Sequence, residues 1–122
     1  MKAVKKEIGC PAEITLRIIA GRWKLLILRE LLAGISRSGE LRRALKGISQ
    51  KVLTQHLREL ERDGIVKRKV YAEVPPKVEY YLTPSGETLK PIVDALHTWG
   101  LEHLDRTAKT SGEQKQAAFV AS

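Results

Sequence analysis

The sequence predicts a mainly α-helical fold that carries one small β-hairpin. Apolar residues recur at steps of three and four along most of the 122 residues, which is the spacing of amphipathic helices. Apolar and polar positions alternate most clearly over residues 78–82, as in a strand with one buried face. A chain of this length can bury roughly two-thirds of the surface that its unfolded form exposes, so we expect one domain with a core.

The first two helices are predicted before residue 35. Pro11 occupies a position that the first turn of a helix tolerates. Isoleucines then follow at helical spacing as far as Gly21: Ile14, Ile18 and Ile19. The second helix is predicted over Trp23–Leu32 and ends before Gly34. Because it is apolar on two sides, we expect it at the centre of the core.

A third and a fourth helix are predicted on either side of a short turn. The third helix covers about residues 39–46 and ends at Gly47. Its inward side chains are expected to be Leu41, Ala44 and Leu45. The fourth helix begins at Ser49 and ends at Asp63. Two helices joined by a tight turn that contains glycine form the helix-turn-helix pattern.

A hairpin and a long helix follow. The predicted strands are Ile65–Tyr71 and Val78–Leu82, and two consecutive prolines between them cannot continue a central ladder, so this loop is expected to protrude as a wing. The last helix begins after Thr83, an N-cap residue, and ends at about Asp105. The predicted fold is therefore a winged helix-turn-helix with additional N- and C-terminal helices. Its predicted parts are a flexible arm over residues 1–9, the winged-helix domain over 10–107 and a disordered tail over 108–122.

Positive charge is concentrated in the middle of the chain. The formal net charge is +8, and residues 37–77 contain eleven Lys or Arg against five acidic residues. Residues 78–107 contain two basic residues against five acidic ones. A basic cluster of this kind is typical of a surface that binds nucleic acid. The alternative is a basic face that contacts only water.

The fourth helix is predicted to have one apolar and one polar face. At about 100° per residue, Leu57 and Leu60 fall within about 40° of Leu53, and the opposite face bears amide and guanidinium groups. These groups form bidentate contacts with base edges in the major groove. The residues predicted to read DNA bases are Ser49, Gln50, Lys51, Thr54, Gln55 and Arg58. Those predicted to bind the DNA backbone are Arg37, Arg42, Arg43, Lys46, Arg62, Lys69 and Lys77.

Enzyme chemistry is not favoured by the sequence. The spacing of Gly34 and Gly39 is that of a phosphate-binding loop, but Glu40 stands where that loop requires lysine. His97 and His103 are six residues apart and do not share one helical face, so no metal pair is expected. We therefore predict no enzyme, no metal site and no cofactor. A protein-interaction module without DNA readout is the alternative, but it leaves the basic middle of the chain unexplained.

Cys10 is the only cysteine of the chain. A disulfide within the chain and every multi-cysteine metal site are therefore excluded, and a cytoplasmic protein is expected. No apolar run is long enough for a membrane span or a secretory signal. Because Cys10 precedes a predicted helix start and follows Lys5 and Lys6, it is a candidate redox or electrophile sensor. The alternative is an inert, packed side chain.

A set of short motifs lies between about Cys10 and Gly100: Cys10-Pro11, Gly21–Lys24, Gly47–Thr54, Leu57–Leu60, Asp63-Gly64, Glu73–Pro76, Val78–Tyr80 and Leu82–Pro84. In these motifs the sequence resembles the HxlR-type bacterial winged-helix transcriptional regulators. The resemblance implies a transcriptional regulator whose fourth helix reads double-stranded operator DNA. Repression is expected because it is the commoner outcome for a small factor without an activation domain. The resemblance also implies a redox or small-molecule effector, because some relatives use the cysteine at this position as a sensor. Relatives commonly have Arg-Phe where this chain has Arg37-Ser38, so the third helix is expected to pack less firmly.

The resemblance further implies a homodimer whose interface is formed by the first and last helices. The apolar stripe of the last helix supports this, because an isolated surface helix rarely needs so long a stripe. The predicted interface residues are Ile14, Ile18, Leu89, Ile92, Val93, Leu96 and Trp99. The alternative is that the stripe only completes the core of one copy.

Overall fold

The computed structural model describes residues 9–121, and it describes side chains for residues 9–109. Its elements are α1 (Ala12–Ile19), α2 (Arg22–Leu32), α3 (Ser38–Ala44), α4 (Gln50–Arg62), β1 (Val66–Tyr71), β2 (Lys77–Leu82), α5 (Pro84–Glu87) and α6 (Lys90–Ala121). The predicted mainly helical fold with one hairpin is confirmed. The chain divides into two compact units between Leu89 and Lys90. Residues 1–8 of the predicted N-terminal arm lie outside the described residues.

The core of the first unit is built around three leucines of α4. Leu53, Leu57 and Leu60 are each at most 1% exposed. Other fully buried side chains come from α2, α3 and β1: Ile27, Leu28, Leu41 and Val66. Each such side chain contributes about 1.5–3 kcal/mol when it leaves water. Since α2 supplies two adjacent buried residues, its predicted central position is confirmed.

The turn between α3 and α4 depends on Gly47. Its φ is +94°, a conformation that residues with a side chain rarely adopt. Leu41 and Leu45 are buried as predicted. The prediction for Ala44 is wrong, because this side chain is exposed. Leu45 at the C-cap of α3 and Ile48 in the following turn are the buried side chains at this end of the helix.

The two strands form an antiparallel hairpin that is tied to the segment before α3. The strands pair from Val66↔Leu82 to Tyr71↔Lys77, which leaves residues 72–76 as the loop of the wing. The backbone N–H of Tyr80 donates to the carbonyl of Ser36 at 2.8 Å, and Arg37 forms an isolated antiparallel bridge with Glu79. The hairpin is thereby held beside the start of α3.

The single helix predicted after Thr83 is two helices in the structure. The Thr83 hydroxyl accepts from the N–H of Gly86 at 3.0 Å and caps α5, as the sequence predicts. The helix is interrupted at residues 88 and 89 because Pro91 has no N–H to donate to the carbonyl of Glu87. Gly86 is required here, since a Cβ atom on it would lie 2.1 Å from the carbonyl oxygen of Ile65.

The predicted end of the last helix near Asp105 is also wrong, because α6 continues to Ala121. Residues 106–121 contain no proline and are rich in Ala, Lys, Glu and Gln, which favour helix. In the part of the chain that the structure describes, no helix is both long enough and apolar enough to cross a membrane.

Candidate nucleic-acid interface

The helix predicted to read DNA, α4, is fixed at its start and along one face. Ser49 has an extended backbone, and its hydroxyl accepts from the N–H of Val52 at 3.1 Å, which satisfies a free donor of the first turn. The three core leucines bury one face of the helix. Its opposite face is therefore held toward the surface as a rigid element.

The residues predicted to read bases lie largely on this opposite face. Ser49, Gln50, Lys51, Gln55 and Arg58 are exposed, and Thr54 is half-buried. The Gln50 side-chain amide donates to the Thr54 hydroxyl at 3.1 Å, so these two side chains hold one another. One concave surface along α4 is lined by Gln50, Lys51, Thr54, Gln55, Arg58, Glu59 and Arg62. The structure thus brings five of the six predicted readout residues to one surface, with Ser49 at the N-terminal end of the same helix.

An ion-pair cluster connects α4 to α2. The ammonium group of Lys24 lies 2.8 Å from Oε1 of Glu59, and Nδ1 of His56 lies 3.3 Å from the same oxygen. Hydrogen bonds from Lys24 and then from His56 hold the pKa of Glu59 below its usual value. The sequence analysis missed this cluster. The spacing of His56 and Glu59 is a helical i, i+3 signal, but nothing local indicates that Lys24 lies beside them.

Most of the cations predicted to bind the DNA backbone are exposed. They are Arg37, Arg42, Arg43, Lys46, Arg62 and Lys69, while Lys77 is half-buried. A cleft of about 480 Å³ lies between the start of α3 and the wing, and Arg37, Arg43 and Lys77 are among its lining residues. Arg42, Lys46, Arg62 and Lys69 do not line this cleft.

Ser38, which replaces the aromatic residue of the family pattern, also lines the cleft between α3 and the wing. Ser38 is half-buried, and the buried side chains that hold α3 against the core are Leu41 within the helix and Leu45 at its C-cap. The less firm packing of α3 stays a prediction.

A polar cluster on the wing surrounds Glu79. Its Oε2 atom lies 3.9 Å from the ammonium group of Lys77 and 4.0 Å from Nε of Arg37. The Tyr81 hydroxyl donates to its Oε1 atom, and the hydroxyls of Tyr71 and Tyr81 are 3.5 Å apart. These hydroxyls, and then the two cations, keep the pKa of Glu79 below its usual value. The sequence analysis missed this cluster because it depends on strand register and on the pairing of residue 37.

The apolar residues predicted for a dimer interface differ in exposure. Leu89 and Val93 are buried within the single chain, and Ile14 and Ile18 are half-buried. The other three are exposed: Ile92 by 39%, Leu96 by 46% and Trp99 by 59%. These three line an apolar surface on α6 together with Pro91 and Ala95.

Cys10 is an exposed free thiol. Its carbonyl accepts from the N–H of Glu13 at 2.9 Å, so the residue lies immediately before the first turn of α1. Because its thiol is exposed, this side chain is not packed within the single chain. Within the described residues, no three His, Cys, Asp or Glu side chains are grouped so that they could hold a metal ion.

Comparison with known proteins identifies the family. The model for the HxlR-like helix-turn-helix matches residues 18–108. The chain belongs to this family. The HTH-type transcriptional regulator YdeP of Bacillus subtilis (strain 168), itself uncharacterized, is 48% identical over 107 residues, which cover 88% of this chain and 84% of YdeP.

Solved structures agree with this assignment. The redox regulator HypR in its reduced form is 47% identical and superposes with a TM-score of 0.77, over 82% of this chain and 99% of that one. Its oxidized form is 50% identical with a TM-score of 0.71, over 76% of this chain and 96% of that one. The predicted winged helix-turn-helix and family are confirmed, and the chain is a DNA-binding transcriptional regulator.

Proposed function

We propose that the chain is a sequence-specific repressor that binds double-stranded operator DNA as a homodimer. The exposed polar face of α4 carries this proposal. Lys51, Gln55 and Arg58 recur on that face at steps of four and three residues, and these side chains suit the donor and acceptor pattern of base edges in the major groove. Arg42 and Arg43 on α3, with the cations of the wing, bind phosphates and set the register on the duplex.

The homodimer is supported by the exposed apolar surface on α6. Ile92, Leu96 and Trp99 form a contiguous surface, and such a surface on a regulator marks a protein contact. The half-buried Ile14 and Ile18 of α1 are the other proposed members of the interface. In a two-fold dimer the two α4 helices read half-sites about one helical turn of DNA, or a multiple of it, apart.

Selection of bound fragments from random duplex DNA tests this proposal. We expect enrichment of one inverted repeat, because two identical helices read two identical half-sites. A reporter gene placed behind the enriched sequence should then be expressed less when the protein is present. If the bound fragments shared no common sequence, specific readout would be refuted. If they shared only a single half-site, the dimer would be refuted. If the chain were only a protein-interaction module, a DNA column would not retain it at physiological salt, because non-specific electrostatic binding weakens as the salt concentration rises.

A second proposal is that oxidation or alkylation of Cys10 releases the DNA. The exposed thiol of Cys10 and the similarity to the redox regulator HypR support it. Because the chain has one cysteine, its oxidation gives a sulfenic acid, a mixed disulfide with a small thiol, or a disulfide between two copies. A quinone would instead add to the thiolate as a small-molecule effector. Such a regulator works in the cytoplasm and acts by binding, without catalysis.

The test compares the wild type with Cys10→Ser before and after mild peroxide or a quinone. We expect the wild type to lose DNA binding and Cys10→Ser to retain it, and reducing agent to restore the peroxide-treated wild type. An equal response of the two proteins would refute the sensor and leave DNA binding untouched.

A further inference from the structure

Glu79 is an acidic side chain in the middle of a basic surface. It lies on β2 opposite Lys69 of β1, and its side chain is only 12% exposed. On the same face of the hairpin, the ammonium groups of Lys69 and Lys77 lie 4.8 and 4.5 Å from the ring centre of Tyr71. A carboxylate at such a position would repel DNA phosphates, so its presence among these cations needs a reason.

The contacts of Glu79 join two separate parts of the basic surface. Its Oε2 atom is approached by Arg37, at the start of α3, and by Lys77, at the end of the wing loop. The hydroxyl of Ser36 donates to the same oxygen at 3.5 Å. Its Oε1 atom accepts from the Tyr81 hydroxyl, which fixes the carboxylate in place. The Oε2 atom therefore lies within 4.0 Å of two cations that belong to different elements.

We propose that Glu79 is a positioning residue for DNA binding, whose carboxylate holds Arg37 and Lys77 in place to bind backbone phosphates. This inference rests on the DNA binding proposed above. Free arginine and lysine side chains lose considerable rotamer entropy when they bind a phosphate, and a cation that is already held loses less. At separations near 4 Å, the two cations keep most of their N–H groups available, since a guanidinium has five and an ammonium three.

The ionisation of Glu79 is consistent with this role. The Tyr81 hydroxyl, followed by that of Tyr71, lowers the pKa of Glu79, and Lys77 and Arg37 lower it further. The carboxylate is therefore charged at neutral pH and attracts both cations. The same contact raises the pKa of Tyr81, so its hydroxyl remains a donor.

The experiment measures the affinity of Glu79→Gln for duplex DNA in two backgrounds. The first background is the wild type, and the second carries Arg37→Ala and Lys77→Ala. The probes are the duplex enriched in the random selection and a duplex of scrambled sequence, both at low salt so that weak binding stays measurable. The matched control is Glu73→Gln, because Glu73 is an exposed acid in the wing loop and no ion pair of it occurs among the described side chains.

We expect Glu79→Gln to weaken DNA binding in the first background and not in the second. In the wild type, Glu79→Gln should weaken binding about three- to thirtyfold, which is about 0.7–2 kcal/mol and falls within the coupling measured between neighbouring residues. Without Arg37 and Lys77, the same change should cause no loss, or a small gain, because only the repulsion between Glu79 and phosphate remains to be removed. Glu73→Gln should give no loss in either background.

Two results would overturn the inference while leaving DNA binding intact. An equal loss in both backgrounds would mean that Glu79 only supports the hairpin, and a gain in both would mean that it only repels phosphate. If Glu79→Gln does not fold, as judged by circular dichroism, Tyr81→Phe replaces it, because it frees the carboxylate without changing the charge. Tyr81→Phe should weaken binding only in the wild-type background, and the same two results would overturn the inference. A wild type that binds neither duplex would instead refute the proposed function itself.

Discussion

Replacement of Arg58 by alanine tests whether α4 reads bases. Arg58 lies on the exposed face of the helix, and it forms no ion pair with any of the described side chains. Its removal should therefore change the free energy of unfolding by no more than about 0.5 kcal/mol. A bidentate contact with a base is worth about 1–3 kcal/mol, so affinity for the enriched duplex should fall about five- to 150-fold.

The assay titrates a labelled duplex with protein and is repeated on duplexes mutated at single positions. Arg58→Ala should bind the enriched duplex and one mutated duplex equally well, because the contact that distinguishes them is missing. The matched control is Arg43→Ala on α3, an exposed arginine expected to bind phosphate. It should weaken binding to every duplex alike and lower the slope of log affinity against log salt by about one.

The reasoning about roles would be refuted by two results. The first is a loss of sequence preference in Arg43→Ala that matches the loss in Arg58→Ala. The second is an unchanged affinity in both variants, measured at a salt concentration at which the wild type still discriminates between duplexes.

Three further predictions concern stability and assembly. Gly86→Ala should destabilise the fold by about 1–3 kcal/mol in urea denaturation, because its Cβ would lie 2.1 Å from the carbonyl oxygen of Ile65; an unchanged midpoint would contradict this packing. Lys24 lowers the pKa of Glu59, so this ion pair stabilises the fold at pH values above the pKa of an unfolded glutamate. The stabilisation is lost as pH falls through the lowered pKa of the folded state. Glu59→Gln lacks this ion pair and should therefore lose less stability than the wild type on acidification. Trp99→Lys should shift sedimentation at micromolar concentration toward the monomer, whereas an unchanged dimer would exclude the apolar surface of α6 from the interface.

Features that depend on neighbouring residues could be predicted from the sequence. The two faces of α4 follow from the spacing of Leu53, Leu57 and Leu60, and all three are buried. The turn before α4 follows from Gly47, whose positive φ few other residues adopt. The break between α5 and α6 was also predictable, because Pro91 cannot complete a continuous helix from Pro84. The sequence analysis missed this break because the regular spacing of the apolar residues continues across it.

Features that depend on contacts between distant segments could not be predicted in this way. Lys24 and Glu59 are 35 positions apart and meet only because α2 packs against α4. Arg37 and Glu79 meet only because the segment before α3 pairs with the second strand of the hairpin. Both glutamates therefore count as ordinary acidic residues in the sequence, although the structure places a lysine beside Glu59 and a lysine and an arginine beside Glu79.

The same contacts limit what the charge of the sequence can say about DNA binding. Residues 37–77 contain eleven basic residues, and a count treats them as equal. In the folded chain, Arg58 projects freely from a rigid helix, whereas Arg37 and Lys77 share one carboxylate. Phosphate contacts fix the register of a protein on the duplex, and a cation that its neighbours hold can make such a contact from fewer positions than a mobile one. We therefore expect the proposed arrangement of these cations around Glu79 to restrict how the duplex docks, together with the proposed base readout by α4.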